Sequence, residues 1–203
     1  MLFHFEFTTL LDALVHRDNA MATNFLTEED VTKLLTERSG ESRAEAAAKI
    51  AVGFGQASLS ERERHLAEEI FRVMVKDAEV RVREALSQNL KENPLVPHDV
   101  ALTLARDVDS VALPVLQFSL VLTDSDLIDI IRSQNVAKQM AIAGRSKVSE
   151  DVSEALVETE NQQVVTRLVS NEGAQITEKS LQKVVDDFGE IESVQDAVVH
   201  RVG

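Results

Sequence analysis

A four-residue phrase, an aliphatic residue followed by Thr, Ser or Pro and usually an acid, returns six times along this chain and constrains its fold more than any other feature. It reads Leu26-Thr27-Glu28-Glu29, Leu59-Ser60-Glu61-Arg62, Val96-Pro97-His98-Asp99, Leu122-Thr123-Asp124-Ser125, Val148-Ser149-Glu150-Asp151 and Ile176-Thr177-Glu178-Lys179. The intervals are 33, 37, 26, 26 and 28 residues, too regular for chance and too uneven for a low-complexity tract. A Ser or Thr hydroxyl accepts a hydrogen bond from an orphan N–H of a helix's first turn, and an acid just inside that turn faces the positive end of the helix dipole. Each phrase therefore starts a helix, with its aliphatic lead placed for a hydrophobic staple.

The phrase also works as a ruler. Eight and nine residues beyond each lead, five of the six units carry an apolar pair: Leu34/Leu35, Leu104/Ala105, Ile130/Ile131, Leu156/Val157 and Val184/Val185. These pairs mark the buried stripe of a short first helix. The second unit departs, with Ala67/Glu68 at those positions and a longer helix through Leu66, Ile70, Val73 and Met74. A second helix follows in each unit. Its apolar residues recur five apart, at Val80/Ala85, Val111/Leu116, Val136/Ala141, Val164/Val169 and Val194/Val199, and the first unit matches less well. Neither helix buries its stripe alone, so the units must stack on their neighbours.

The expected fold is all-α: an α-α superhelix of about six helical-hairpin repeats over residues 27–203, with residues 1–26 as an N-terminal segment outside the repeat. That segment either caps the open end of the array or docks on another subunit through Phe3, Phe5 and Phe7. At the other end, Val198-Val199-His200-Arg201-Val202-Gly203 stops within a second helix with no polar capping helix behind it. This suggests a truncated chain, a missing domain or a dimer contact. Gly53-Phe54-Gly55 is expected to end a helix, and Gly144 and Gly173 to lie near helix ends where glycine takes the left-handed cap. Pro114 should kink its helix or confine helix to one side.

Composition agrees with closely packed helices. Hydrophobic residues make up 44% of 203, enough for a sizeable core, while aromatics are 4% with no Trp or Tyr. The absence of Cys excludes disulfides, thiolate metal sites and thiol catalysis, and fits a cytoplasmic home. The start, Met1-Leu2-Phe3-His4-Phe5-Glu6-Phe7, has no basic region and makes a poor secretory signal, and no uncharged apolar stretch approaches the ~18 residues that span a bilayer. Of the formal charge of −14, the six first-helix segments carry −10, so much of the acidity lies on one layer. The mundane reading is a solvated outer layer rather than an acidic recognition face.

Asp77-Ala78-Glu79-Val80-Arg81-Val82-Arg83-Glu84-Ala85-Leu86 resembles the inner helix of a HEAT repeat, and Glu41-Ser42-Arg43-Ala44-Glu45-Ala46-Ala47 is a weaker copy. The run from Leu26 to about Gly189 resembles an uncharacterised bacterial family, a domain of unknown function. The likeness is carried by Leu66-Ala67-Glu68-Glu69-Ile70-Phe71-Arg72, Val111-Ala112-Leu113-Pro114-Val115-Leu116 and Leu122-Thr123-Asp124-Ser125-Asp126-Leu127-Ile128. This resemblance implies a HEAT-like α-solenoid and brings no activity, substrate or functional residue. It also implies a chain that often continues further. The short 26–28-residue later units depart from a regular HEAT superhelix.

No chemical motif rises above this background. The histidines His4, His16, His65, His98 and His200 never share the i, i+4 spacing of a helical metal site, and Asp124, Asp126 and Asp129 lack the glycine and distal Glu of a calcium loop. There is no phosphate loop or nucleophile elbow. No metal or cofactor is expected. The second helices offer Arg43, Arg81, Arg83, Lys138, Arg145 and Arg167, which either pair with neighbouring acids or line a concave groove for an acidic peptide. The leading expectation is a non-enzymatic scaffold that binds a protein through its concave face or its ends, with a homodimer through the termini as one arrangement. Nucleic-acid binding is the first alternative, opposed by the charge of −14 and the lack of Trp or Tyr to stack on bases. A solenoid subunit with a small-molecule pocket, holding a buried polar group such as Asp109 or His98, is the second.

Overall fold

The computed structural model describes residues 39–55, 59–133 and 135–202, and among them every regular element is an α-helix. The N-terminal segment, its Phe3, Phe5 and Phe7, and the first helix start at Thr27 lie outside the described residues. The chain divides into two units, one ending at Leu104 and the other starting at Ala105.

The described part of the first unit holds α1 (Gly40–Phe54), α2 (Glu61–Met74), α3 (Val80–Leu90) and most of α4 (His98–Ala105). Phe54 and Phe71 are both fully buried and meet edge to face, with ring centroids 5.1 Å apart. Helix α1 ends at Phe54, as the flanking glycines predict. Its partner α3 does not bury the expected Val80/Ala85 pair. Val80 is exposed at the helix's first position, and the buried face is Val82, Leu86 and Leu90, spaced i, i+4, i+8.

The second unit contains α5 (Asp109–Phe118), α6 (Asp124–Ile131), α7 (Val136–Ala143), α8 (Glu150–Val157), α9 (Gln162–Val169), α10 (Glu178–Phe188) and α11 (Glu192–Val202). Contacts run in two series: α5 packs on α7, α7 on α9 and α9 on α11, while α6 packs on α8 and α8 on α10. Each of the hairpins α6–α7, α8–α9 and α10–α11 joins the two series. This is a two-layer stack of helical hairpins within the unit.

The phrases do start helices. Ser60, Thr123, Ser149 and Thr177 are N-caps whose hydroxyls accept backbone N–H groups, and α4 opens directly after Pro97. Ser60 with Glu63 and Thr123 with Asp126 form complete capping boxes. Helix ends differ from expectation. The C-caps at Gly55, Gly144 and Gly189 have φ of −75°, −91° and −63°, and no described glycine has positive φ. Tightened last turns close these helices, as where the Gly144 N–H reaches the carbonyls of both Met140 and Ala141. Helix α5 runs unbroken through Pro114.

A register correction explains the second unit. Asn135 and Asn161 are N-caps 26 residues apart, so α7 and α9 align at that interval. Val136 is then equivalent to exposed Gln162, and Lys138, 9% exposed, occupies the core position held by Val164. The expected Val136/Ala141 pair is thus two residues out of step, because an apolar pattern passes over a lysine at the buried site. The last pairs also open: Val185 and Val199 are exposed where their counterparts are buried.

Candidate partner-binding surfaces

Four of the six cations singled out in the sequence are engaged inside the fold. Arg43 forks onto Asp77, Nε to Oδ2 at 2.7 Å and Nη2 to Oδ1 at 3.0 Å, and that carboxylate is 2% exposed. Arg83 donates to the Asp77 carbonyl. Together they tie α1 to the turn between α2 and α3. The hydrogen bond that Arg43 donates to Asp77, more than the Coulomb attraction, raises the Arg43 pKa against the opposing effect of burial.

In the second unit the cations cap helices of the preceding hairpin. Lys138 Nζ donates to the carbonyls of Asp107 at 2.6 Å and Ala105 at 3.4 Å, where α4 ends. Arg145 donates to the carbonyls of Leu116 and Ser119, where α5 ends. A cation there satisfies carbonyls that have no partner in their own helix and meets the negative end of the dipole. Burial pushes the Arg145 pKa down, partly opposed by the charge of Asp124. Asn171, 26 residues on, performs the same task, its Nδ2 donating at 2.8 Å to the carbonyls of Ala143 and Arg145. The recurrence of this clip at one repeat interval was invisible in the sequence, because Arg and Asn share no pattern that a composition scan groups.

Arg81 and Arg167 are the two exposed cations. Arg81 Nε lies 3.8 Å from Glu79 Oε2, a long and solvated pairing worth little. Arg167 lies over Gly144 at the end of α7. The six cations therefore do not form one free basic surface. Of the residues named for a buried polar pocket, Asp109 is exposed and accepts from Asn135 Nδ2 at 3.1 Å, and His98 is exposed.

A different surface emerges at α10 and α11. The hairpin faces the rest of its unit with Ser180, Val184 and Val194. Beside that face, Leu181, Val185 and Phe188 follow an i, i+4, i+7 stripe in which Leu181 and Phe188 are half-buried and Val185 is exposed, and Val199 of α11 is exposed as well. Val157, equivalent to Val185, is 1% exposed in a helix that α10 packs against, and Ile131 is 2% exposed in α6, which packs against α8. Val185 is 44% and Val199 69% exposed, with no described helix across from them. Asp196 and Glu192, three and seven residues before Val199, share its side of α11, and Asp186 follows Val185 in α10. Asp187 is partnered by Lys183 at 2.8 Å.

Two carboxylates in the first unit link folding to pH. The Arg72 guanidinium, 2.9 Å away, holds Asp99 below its usual range, and the Ser60 hydroxyl and N–H do the same for Glu63. Depressed carboxylates stabilise the fold above their unfolded pKa and lose that contribution as pH falls through the lower folded values. The expected result is a melting temperature that declines below about pH 4. Asp99→Asn should flatten that decline, as measured by thermal melts between pH 2 and 7.

A family model described as an uncharacterised protein conserved in bacteria (DUF2336) matches residues 111–202. The match lies wholly in the second unit, so the phrases Val111–Leu116 and Leu122–Ile128 fall inside it while Leu66–Arg72 does not. No curated protein and no solved structure matches the chain. No described helix is long and apolar enough to cross a membrane.

Proposed function

We propose that the protein is a non-enzymatic helical-repeat scaffold, HEAT-like in its stacking, whose α10–α11 face binds an amphipathic helix of a partner protein. The observation that carries this reading is exposed Val185 and Val199 with half-buried Leu181 and Phe188, Val185 standing where its equivalent Val157 is buried. A partner helix laid on this face would bury the stripe, with apolar residues at i, i+4 spacing. The acids around the stripe favour lysine and arginine on that helix's flanks. Engagement of Arg43, Arg83, Lys138 and Arg145 within the fold weakens the alternative of a cationic concave groove. The charge of −14 and the lack of Trp and Tyr leave nucleic acid without support.

The test uses an 18-residue leucine-striped, lysine-flanked helical peptide titrated into the full chain by calorimetry. Wild type should bind it in the micromolar range, and the Val185→Glu/Val199→Glu pair should weaken binding at least about tenfold, a loss of roughly 1.4 kcal/mol. This pair makes the surface more acidic, so non-specific attraction of a basic peptide would rise rather than fall. Equal or tighter binding by the variant would sink the reading. Arg81→Glu should leave the affinity unchanged.

A further inference from the structure

Between the α6–α7 and α8–α9 hairpins lies a crevice of about 510 Å³, a size suited to a small ligand. Its apolar floor is Ile131, Val136 and Ala155. Four polar side chains stand around that floor, and each brings an atom with no partner among the described residues.

Gln139 is buried, and its Nε2 is committed to the Ile131 carbonyl at 2.8 Å, which leaves Oε1 as an acceptor on the crevice wall. Asn161 uses Oδ1 to cap α9, accepting from the N–H groups of Gln163 at 3.0 Å and Val164 at 3.3 Å, which leaves Nδ2 as a donor. Arg132, the C-cap of α6, contributes a guanidinium, and Glu158, its equivalent 26 residues on and the C-cap of α8, contributes a carboxylate. Both charges are exposed and make no hydrogen bond among the described residues, although the charge of Glu158 also acts on Lys179. Between Thr159 and Asn161, Glu160 has φ of 52°, the one described non-glycine residue in the left-handed region. Strain of this kind persists where the surroundings fix it, and here it sets the turn that presents Asn161.

We infer that this crevice binds a zwitterion with an aliphatic body, a free amino acid or a dipeptide. Arg132 and the Asn161 amide donate to the ligand carboxylate, Glu158 and Gln139 Oε1 accept from its ammonium, and the aliphatic side chain rests on Ile131, Val136 and Ala155. Two donors with one cation, two acceptors with one anion and an apolar floor match the three parts of such a ligand. The site does not depend on the α10–α11 face.

Calorimetry with L-leucine and with L-leucyl-L-valine on the full chain tests the assignment. At least one should bind with a Kd of roughly 0.1–1 mM, about −4 to −5.5 kcal/mol. Glu158→Gln should weaken binding of that ligand about tenfold while leaving its N-acetylated form unaffected, because the acetyl group has already removed the ammonium. Arg132→Gln should weaken the ligand about tenfold and leave its C-terminal amide unaffected. Both residues are exposed, so these variants should melt like wild type. A tighter dipeptide identifies a peptide ligand and a tighter leucine a free amino acid, and either outcome upholds the site. Absence of binding to both probes at about 10 mM, or binding that neither variant changes, overturns it.

Discussion

Replacing Arg145 with methionine is expected to destabilise the protein by about 3 kcal/mol and lower its melting temperature by roughly 6–12 °C. The guanidinium is the donor for the Leu116 and Ser119 carbonyls, and both of those residues are buried. Methionine keeps much of the aliphatic stem but leaves both acceptors unsatisfied, and an unmet buried polar group loses the full hydration it had in the unfolded chain. The C-terminal end of α5 also loses the cation that faced its dipole. Arg145→Lys should recover about half the loss, since one ammonium keeps the charge without the planar fork. Differential scanning calorimetry of the two variants checks both statements. Equal stability of wild type and Arg145→Met would show that the clip contributes nothing.

Gly173→Ala should produce a comparable loss, about 3 kcal/mol or more, for a steric reason. A Cβ at that position would lie 2.0 Å from the Ser146 carbonyl oxygen and 2.8 Å from its carbon, both backbone atoms that no rotamer change can move aside. Two loops must therefore separate. They are joined by a short parallel bridge, with the Val148 N–H donating to Gly173 at 3.1 Å and the Gln175 N–H donating to Val148 at 2.8 Å, and separation breaks both bonds. Gly144→Ala is the control. There the nearest atom is the end of the exposed Arg167 side chain, at 2.9 Å, which can swing away. Urea unfolding should give Gly144→Ala a loss under about 1 kcal/mol.

These two positions show where sequence reasoning stops. Helix starts were legible because an N-cap is a local device: Ser60, Thr123, Ser149 and Thr177 act on N–H groups three residues away in sequence. The outer stripe was legible for the same reason, since Ile130/Ile131 and Leu156/Val157 repeat with the helix period and are buried as a pair. The clips were not. Arg145 meets Leu116 and Asn171 meets Ala143 across 29 and 28 residues, and nothing local distinguishes such a side chain from a solvated one. Lys138 shows the same limit more sharply, because a lysine at a core position breaks the apolar pattern that would have revealed the correct register. Glycine caps misled for another reason: Gly144 closes its helix with φ of −91°, so the residue that permits a left-handed cap does not compel one.

The open face follows from the ruler's pairs in the first helices. Val185 sits at the position of Val157, yet no described helix covers it as α10 covers the helix that carries Val157. Burying Val185, Val199 and their neighbours under a partner helix would remove apolar surface from water at about 25 cal/mol per Å². The hydrophobic stripe therefore supplies the drive and the surrounding acids the choice of partner.

The most direct measurement is a methyl-detected NMR titration of the full chain with the lysine-flanked helical peptide. The account predicts shifts at the methyls of Leu181, Val185 and Val199, with those of Val164 and Leu168 and of the exposed Val52 and Leu95 unmoved. Shifts centred on Val52 or Leu95, or no shifts at saturating peptide, would contradict it.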